Sequence, residues 1–194
     1  FKEGIGKFTP LLRRLLYNGA FNLEVCVEGE SLWGCSIIPR TLCPLTYVFL
    51  ELFEGEPEDL FNGSLIEIKQ RDGVAMGLTF CIPPFPNSLD AEVTNRMCGG
   101  RKIEGIGEEN LNHIQLMDVK KNGVGYICKG ESGLLGVITA RSNSNQTLDL
   151  QVREARRRIY RTMSNINVDG LMYRIDIGEQ AFKNISMLKE QEWL

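Results

Sequence analysis

The feature that most constrains the fold of this chain is a series of short apolar segments that ends in one long amphipathic helix. The short segments are rich in branched and aromatic residues, which is typical of β-strands. From Thr147 the period changes, and apolar residues recur at the spacing of an α-helix, with Thr147 as its N-cap. Strands followed by one covering helix predict an α+β fold with a mainly antiparallel sheet. The predicted apolar face comprises Leu148, Val152, Ala155, Ile159 and Met163.

Most of the strand-like segments lie in the second part of the chain. Asp72-Gly73 separates the first two and predicts a hairpin turn. Residues 83–86 contain three prolines and predict a rigid extended loop, because proline has no N–H to give to a strand ladder. A last extended piece is predicted at 173–177, followed by a helical tail. The predicted strands are 65–69, 74–82, 103–106, 114–119, 125–129 and 134–140.

The first part of the chain shows a different order of elements. A helix is predicted over 8–17, where Thr9-Pro10 is a start signal and Asn18-Gly19 a break. We therefore predict two domains, 1–62 and 63–194. The other elements predicted in the first domain are strands at 21–27 and 31–38, a helix at 45–53 and a helical turn at 57–61.

Composition places the chain among ordinary globular proteins. It has 194 residues, of which 43% are apolar, and a net charge of -3. Neither the charge nor its distribution has the basic character of a nucleic-acid-binding protein. No apolar run reaches the roughly 18 residues of a membrane span, and no signal-peptide pattern is present, so we expect no membrane partner. Because the sequence begins with Phe1 and not methionine, we expect a fragment or a processed product.

The six cysteines contain no C-x-x-C pair, and the single histidine, His113, has no closely spaced ligand partner in the sequence. A zinc site needs such pairs, so we expect buried core thiols ahead of metal ligands or disulfides. Free thiols point to a reducing compartment, and we predict a cytoplasmic protein. The glycosylation-type triplets at Asn62, Asn145 and Asn184 are then chance matches.

Residues Asp169–Gly178, with the sequence DGLMYRIDIG, resemble the C-terminal signature of phosphoribosylamine–glycine ligase, a family of the ATP-grasp superfamily. Other segments match that family in the same order along nearly the whole chain. They are Tyr17-Asn18-Gly19, Pro39-Arg40, the prolines of 83–86, Ile103–Ile106 with His113, and residues 136–140.

The resemblance implies a fold and a reaction. The fold would be the back half of an ATP-grasp domain, followed by a small C-terminal domain of twisted antiparallel sheet and one long helix. The reaction would be ATP-dependent joining of glycine to phosphoribosylamine in purine biosynthesis, with ATP and Mg²⁺ as cofactors. The family supplies its adenine pocket from residues upstream of those matched here. The resemblance therefore implies a partner, an N-terminal ATP-grasp half on another chain or a missing segment.

The resemblance also implies site residues. Glu24 falls at the position of the first metal ligand and Arg40 at that of the catalytic arginine, while Arg174 and Asp176 belong to the signature and are expected to bind the cofactor. On the second strand the usual glutamate and asparagine positions hold Ser36 and Ile38. Serine is a poor magnesium ligand and isoleucine is none.

Each of these residues also has an interpretation without function. Glu24 fits the solvent face of a half-exposed strand, and Arg40 fits a surface ion pair. Arg174 and Asp176 fit a pair with each other or with neighbours, or a structural role in closing the C-terminal domain. His113 on an alternating strand is more often packed or exposed than catalytic. Five arginines resemble a phosphate-binding run, but a solvated helix face is the more common explanation. They are Arg153, Arg156, Arg157, Arg158 and Arg161.

Three hypotheses follow: a ligase C-terminal half that needs its front half, a degenerate relative that serves as a binding or assembly module, and an unrelated α+β binding protein. The first predicts an exposed apolar surface around residues 1–16 and 21–38, because half a sheet leaves an unpaired edge.

Overall fold

The computed structural model describes residues 4–29, 31–60, 69–87, 89–123, 125–143 and 145–190. Within these ranges the chain forms helices and antiparallel sheets, so the predicted α+β class is confirmed. Every strand pair is antiparallel.

The described helices are α1 (Thr9–Arg14), α2 (Leu45–Leu52), α3 (Ala91–Cys98), α4 (Glu108–Leu111), α5 (Leu148–Met163) and α6 (Glu179–Glu190). Short 3-10 turns lie at Ile5–Phe8 and Pro57–Leu60. The described strands are β1 (Asn22–Glu28), β2 (Ser31–Ile38), β3 (Ala75–Cys81), β4 (Lys102–Ile103), β5 (Ile114–Leu116), β6 (Val119–Asn122), β7 (Gly125–Cys128), β8 (Leu134–Arg141) and β9 (Met172–Tyr173).

The centre of the molecule is a four-stranded sheet in the order β5-β8-β3-β9, with α5 packed against it. The predicted apolar stripe of α5 is the face that it buries. Val152, Ala155, Ile159 and Met163 are each at most 2% exposed. Leu78 of β3 and Ile138 of β8 are opposite each other in the ladder and belong to the same core cluster. The periodicity of α5 therefore sets which side of the sheet becomes the main core.

The other side of β3 and β8 is covered by α2. Gly77 of β3 has room for no side chain, because a Cβ there would lie 2.7 Å from Val48 of α2. Thr139 of β8 donates a hydrogen bond of 2.6 Å to Glu51, also on α2. Strand β8 is thus buried on both faces, which explains its nearly continuous apolar sequence.

A second sheet, in the order β4-β7-β6, adds to the same core. Ile103 of β4 and Cys128 of β7 are buried in the core cluster. Gly105 follows β4 with φ +81°, and a Cβ there would lie 1.7 Å from the carbonyl oxygen of Asn165. This close approach accompanies the bridge between Glu104 and Asn167, which ties the second sheet to the segment after α5.

Strands β1 and β2 form a hairpin apart from both larger sheets. In the described part of the chain they pair only with each other, and a bulge interrupts the ladder after Glu24. Large apolar side chains are exposed on the hairpin: Trp33 is 60% exposed and Ile37 50%. Among the residues that the structure describes, the hairpin is therefore an open two-stranded ribbon with no strand paired to either edge.

Most predicted elements are confirmed with bounds shifted by a few residues, including both strands of the hairpin and the helical tail. Residues 83–86 are an exception, since they form turns and not an extended loop, with Phe85 N–H donating to Ile82 O. The predicted strand at 114–119 is divided into β5 and β6 at Met117-Asp118. Helices α3 and α4 were not predicted; α3 is short and half of its residues are polar, with Asp90 as N-cap accepting from Glu92 N–H at 2.8 Å.

Two predictions fall where the structure says little. The predicted strand at 65–69 and the boundary between the predicted domains 1–62 and 63–194 fall on residues 61–68 and their immediate neighbours, and 61–68 lie outside the described residues.

Thr147 does precede α5 as its N-cap residue, but its side chain makes no capping hydrogen bond.

Asp118 is a buried carboxylate that organises the loop between β7 and β8. It is 3% exposed and accepts backbone N–H groups from Glu131, Ser132 and Gly133 at 2.7–3.1 Å. Burial alone would raise the pKa of Asp118, but the hydrogen bonds from Ser132, Gly133 and Glu131 outweigh it and lower the pKa below its ordinary value. The ionised form is therefore the one that the loop stabilises.

We predict that Asp118→Asn lowers the free energy of unfolding by about 3 kcal/mol, because it replaces a charged acceptor with a group whose amide faces backbone donors. In the native chain the contribution of Asp118 is present above its unfolded-state pKa and is lost as pH falls through its lowered folded-state pKa. Urea unfolding between pH 7 and acid should show this loss in the native protein and not in the variant. The control is Asp169→Asn, at an exposed carboxylate; equal loss in both variants would contradict the prediction.

Candidate functional site

An arginine-lined cavity of about 220 Å³ lies where the second half of α5 passes the end of β8. Its position follows from the fold, because α5 packs on β8 and β5 pairs with β8 on the same sheet. Side chains one turn apart on α5 therefore meet the last residue of β8 and the residue before β5. The lining residues are His113, Thr139, Ala140, Arg141, Arg157, Arg158, Arg161 and Thr162.

Arg158 is a fixed part of the cavity wall. Its guanidinium donates to Glu154 Oε1 at 2.5 Å and to the carbonyl oxygen of Arg141 at 2.9 Å. Glu154 in turn accepts from the backbone N–H of Asn143, and that bond, together with Arg158, lowers the pKa of the Glu154 carboxyl. The charge of Arg158 is therefore neutralised in place, and its role is to join α5 to the end of β8.

Arg157 and Arg161 have a different setting. Among the described residues, neither guanidinium has a hydrogen-bond or ion-pair partner. They are four residues apart on α5, where two like charges destabilise a helix by roughly 0.2–0.5 kcal/mol. Arg141, across the cavity, makes one long hydrogen bond of 3.3 Å to the carbonyl oxygen of Asp72. Three positive groups thus face one cavity without a carboxylate bound to them.

The far wall is held by α2. Thr139 donates to Glu51 Oε1, which also lies 3.8 Å from Nδ1 of His113. These contacts place the histidine at the cavity edge. They also occupy the carboxylate of Glu51, so that it does not pair with the arginines.

Such a cavity can bind an anion. Arginine presents planar paired donors that match the oxygens of phosphate and carboxylate groups. The volume is below the roughly 300–1,000 Å³ of pockets for drug-sized ligands, so it suits a phosphate group or a carboxylate and not a whole nucleotide.

The four residues assigned by resemblance lie in two other places. Glu24 is on β1, directly opposite Ser36 of β2, and Arg40 follows β2 at an exposed position where its carbonyl oxygen accepts from the side chain of Asn22. Within the described ranges, no hydrogen bond or ion pair joins Glu24 or Arg40 to Arg174 or Asp176.

Arg174 and Asp176 bind each other. Nε and Nη2 of Arg174 donate to the two carboxylate oxygens at 2.9 and 2.6 Å, on the surface. The hydrogen bond from Arg174 lowers the pKa of Asp176, and the same bond raises the pKa of Arg174. This is the mutual pairing that the two-residue spacing allowed, and their assignment to the cofactor stays a prediction.

The arginine run on α5 is more than the solvated face that charge patterning favours. Arg153 stacks over Phe182 at 5.0 Å, and Arg156 pairs with Glu179 at 2.8 Å, so both attach α6 to α5. The remaining three arginines line the cavity. The sequence reveals the arginine run but not the cavity, because Arg141 and His113 reach the cavity only through the pairing of strands in the sheet.

The six cysteines differ in exposure, and Cys81 is half-buried. Cys98 and Cys128 are buried as expected, but Cys26, Cys35 and Cys43 are exposed, so the expectation of core thiols is wrong for these three. The exposed thiols lie on or just after the open hairpin, where apolar sequence is not covered by the core.

Cys98, Asp118 and Cys128 form a buried group whose ligand atoms lie within 4.8 Å of one another, close enough to hold a metal ion. Their present partners favour a hydrogen-bonded core. Cys98 donates to Thr94 O at 3.2 Å and Cys128 to Asp118 at 3.6 Å, while Asp118 already accepts the loop N–H groups. Burial raises the pKa of Cys128 to about 12, so its thiol is protonated at neutral pH. A metal would have to displace these protons and hydrogen bonds.

No protein-family model matches the chain, and no curated protein matches it. None of the helices in the described ranges has both the length and the apolar character that crossing a bilayer requires. The ligase resemblance therefore stays a prediction that the geometry has to support by itself.

We predict that inorganic phosphate raises the melting temperature of the native chain, and that Arg157→Gln and Arg161→Gln remove most of this shift. Without phosphate, Arg161→Gln should be more stable than the native chain by roughly 0.2–0.5 kcal/mol, because its like-charge pair with Arg157 is gone. Arg157 also attracts the carboxylate of Glu154, so no such gain is expected for Arg157→Gln. Thermal unfolding with phosphate against sodium chloride of equal ionic strength measures both effects.

Arg153→Gln is the matched control, since Arg153 lies on the same helix but outside the cavity. Phosphate strengthens apolar burial in proteins generally, so some shift of the melting temperature is expected in every variant. The anion site is tested by the difference in this shift between the cavity variants and the control. Equal shifts in the native chain, the cavity variants and the control would contradict an anion site here.

Proposed function

We propose that this chain is the C-terminal part of an ATP-dependent ligase that joins glycine to phosphoribosylamine, and that it needs an upstream ATP-grasp half to act. The observation that carries the proposal is the open hairpin β1–β2 with its exposed apolar side chains. A ligase half of this kind was expected to expose apolar surface on its first helix and on these strands.

The exposed apolar surface occupies α1, the residues just after it and the hairpin. Leu15 is 63% exposed and Leu16 89%, in addition to Trp33 and Ile37. An open ribbon with free edges and large apolar side chains is a template for added strands or a docked domain. In the proposal, the front half of an ATP-grasp domain covers this surface.

The arginine-lined cavity is consistent with a phosphate-bearing substrate. A phosphoribosyl group ends in a phosphate monoester, which matches the size and charge of the space between Arg141, Arg157 and Arg161.

The residues of the hairpin do not fit a magnesium site of the usual two-strand kind. Glu24 supplies one carboxylate, but the register places Ser36 directly opposite it, and Ile38 has no donor atom. We therefore assign no step of the reaction to a metal held by these two strands. Any Mg²⁺ and ATP would be held mainly by residues of the upstream half, and Glu24 and Arg40 are the groups that this chain would contribute.

The same observation favours a second candidate, a degenerate ATP-grasp relative that keeps the fold as a binding or assembly module. In that case the exposed hairpin docks a partner, but no ligase reaction follows. For either candidate we propose the cytoplasm as the compartment, in line with six free thiols.

Native mass spectrometry of the protein purified from its source, with sequencing of the chains that accompany it, tests the proposal. A stoichiometric partner, or an additional segment of the same polypeptide, that resembles the front half of an ATP-grasp ligase supports a ligase. A chain without such a partner or segment, or one built into an unrelated assembly, contradicts it and favours the module.

We predict that the complete assembly hydrolyses ATP in a glycine-dependent manner and that Glu24→Gln lowers this turnover. The loss should be at least the roughly 10–100-fold typical of groups that only support a metal ligand. Glu28→Gln is the control, since Glu28 is exposed on the same strand. Glycine-independent hydrolysis, or equal loss in both variants, would count against a role for Glu24.

The double variant Ser36→Glu with Ile38→Asn separates the two candidates. It restores the carboxylate and amide that the second strand of the family usually carries. If the assembly is degenerate, the native form is inactive and this variant is the one that gains turnover. If the native form is active, the variant should change its metal dependence and not create activity.

A further inference from the structure

The hairpin carries a pair of thiols in contact. Cys26 Sγ on β1 and Cys35 Sγ on β2 lie 3.0 Å apart. A covalent S–S bond measures about 2.05 Å, so the two sulfur atoms are only about 1 Å beyond bonding distance. Both residues are exposed, so a small molecule in solution can reach them.

The bulge in the hairpin explains the contact. The residue opposite Cys26 is Trp33, and in a regular ladder Cys35 would be its diagonal neighbour, about 7–8 Å away and too far for a disulfide. Here the ladder runs from Glu24↔Ser36 directly to Val25↔Gly34, and Cys35 is the extra residue. A bulge re-aims the side chain of its extra residue, which in this hairpin brings one sulfur onto the other.

We propose that Cys26 and Cys35 are a modification site that forms a reversible cross-strand disulfide by exchange with a low-molecular-weight disulfide of the glutathione type. The inference does not depend on the proposed function, because it uses only the hairpin itself.

The exchange has two steps. One cysteine, as its thiolate, attacks a sulfur of the small disulfide; that S–S bond breaks and one small thiolate leaves. The second cysteine then loses its proton and attacks the mixed disulfide, which forms the protein S–S bond and releases the other small thiol. The two protein thiols lose two electrons and two protons in all, and the small disulfide gains them.

The electrostatic setting of the pair affects the rate of the exchange. The hydrogen bond and charge of Cys35, and to a smaller degree the carboxylate of Glu24, raise the pKa of the Cys26 thiol. A thiol of raised pKa has a smaller thiolate fraction at neutral pH, so the exchange should be slow there and faster as the pH rises.

The test uses the whole chain, equilibrated with mixtures of reduced and oxidised glutathione, then quenched with acid, alkylated and mapped by mass spectrometry. We expect Cys26 and Cys35 to lose alkylation together, with the loss of two hydrogen atoms from the peptide pair and full reversal by reductant. In Cys35→Ser, Cys26 should instead retain one glutathione.

Cys43 is the internal control, since it is exposed and, among the described residues, its sulfur contacts the sulfur of Met117, at 3.8 Å, and not a second thiol. It should form a mixed disulfide at most. If Cys26 and Cys35 stay alkylatable while Cys43 takes up glutathione, or if each retains its own glutathione, the proposed disulfide is wrong. A disulfide mapped between any other pair would overturn it as well.

Discussion

The contact between helix α5 and strands β3 and β8 is the interaction on which the rest of the structure depends. It buries Ile159, Met163, Leu78 and Ile138 almost completely, and truncating residues of this type in a core typically costs about 2–5 kcal/mol each. The second sheet and the segment after α5 extend the same cluster. Helix α2 covers the opposite side of the same two strands, so β3 and β8 are the elements that both helical layers share.

The candidate site is a consequence of that contact. A helix that buries one face exposes the rest of its surface to solvent. Beside the end of β8, the exposed surface of α5 carries arginines. One of them, Arg158, is fixed by Glu154 and by the end of β8, whereas Arg157 and Arg161 face the cavity unpaired within the described residues. Arg158 thus joins α5 to the end of β8. Arg157 and Arg161 leave positive charge at the cavity, where we predict that an anion binds.

The sequence predicts those parts of the fold that have a clear period. Helix α5 and strand β8 were predicted within a residue of their observed bounds, because a 3.6-residue stripe and a long apolar run are strong signals. Helix α3 was missed because it is only eight residues long, half of them polar, and it buries only Thr94 and Cys98. The prediction of an extended loop at 83–86 is wrong, because proline content predicts a rigid backbone but not whether the chain runs straight or turns.

The site was less predictable, since it is made by contacts between distant residues. Arg141 and His113 reach α5 only through the pairing of β5 with β8, which no local pattern reveals. Cys26 and Cys35 were predicted as core thiols because their neighbours are apolar. Their exposure follows from the absence of a covering element over the hairpin in the described part of the chain.

The structure therefore joins a packed sheet-and-helix unit to a hairpin held by its own ladder. Amides in such an unsupported ribbon open at low free-energy cost, whereas core strands open only with global unfolding. Hydrogen–deuterium exchange of the isolated chain tests this division directly. We predict slow exchange in β3, β8 and α5 and fast exchange in β1 and β2, with the hairpin becoming protected in the complete assembly. Equal protection of the hairpin and the central sheet in the isolated chain would contradict it.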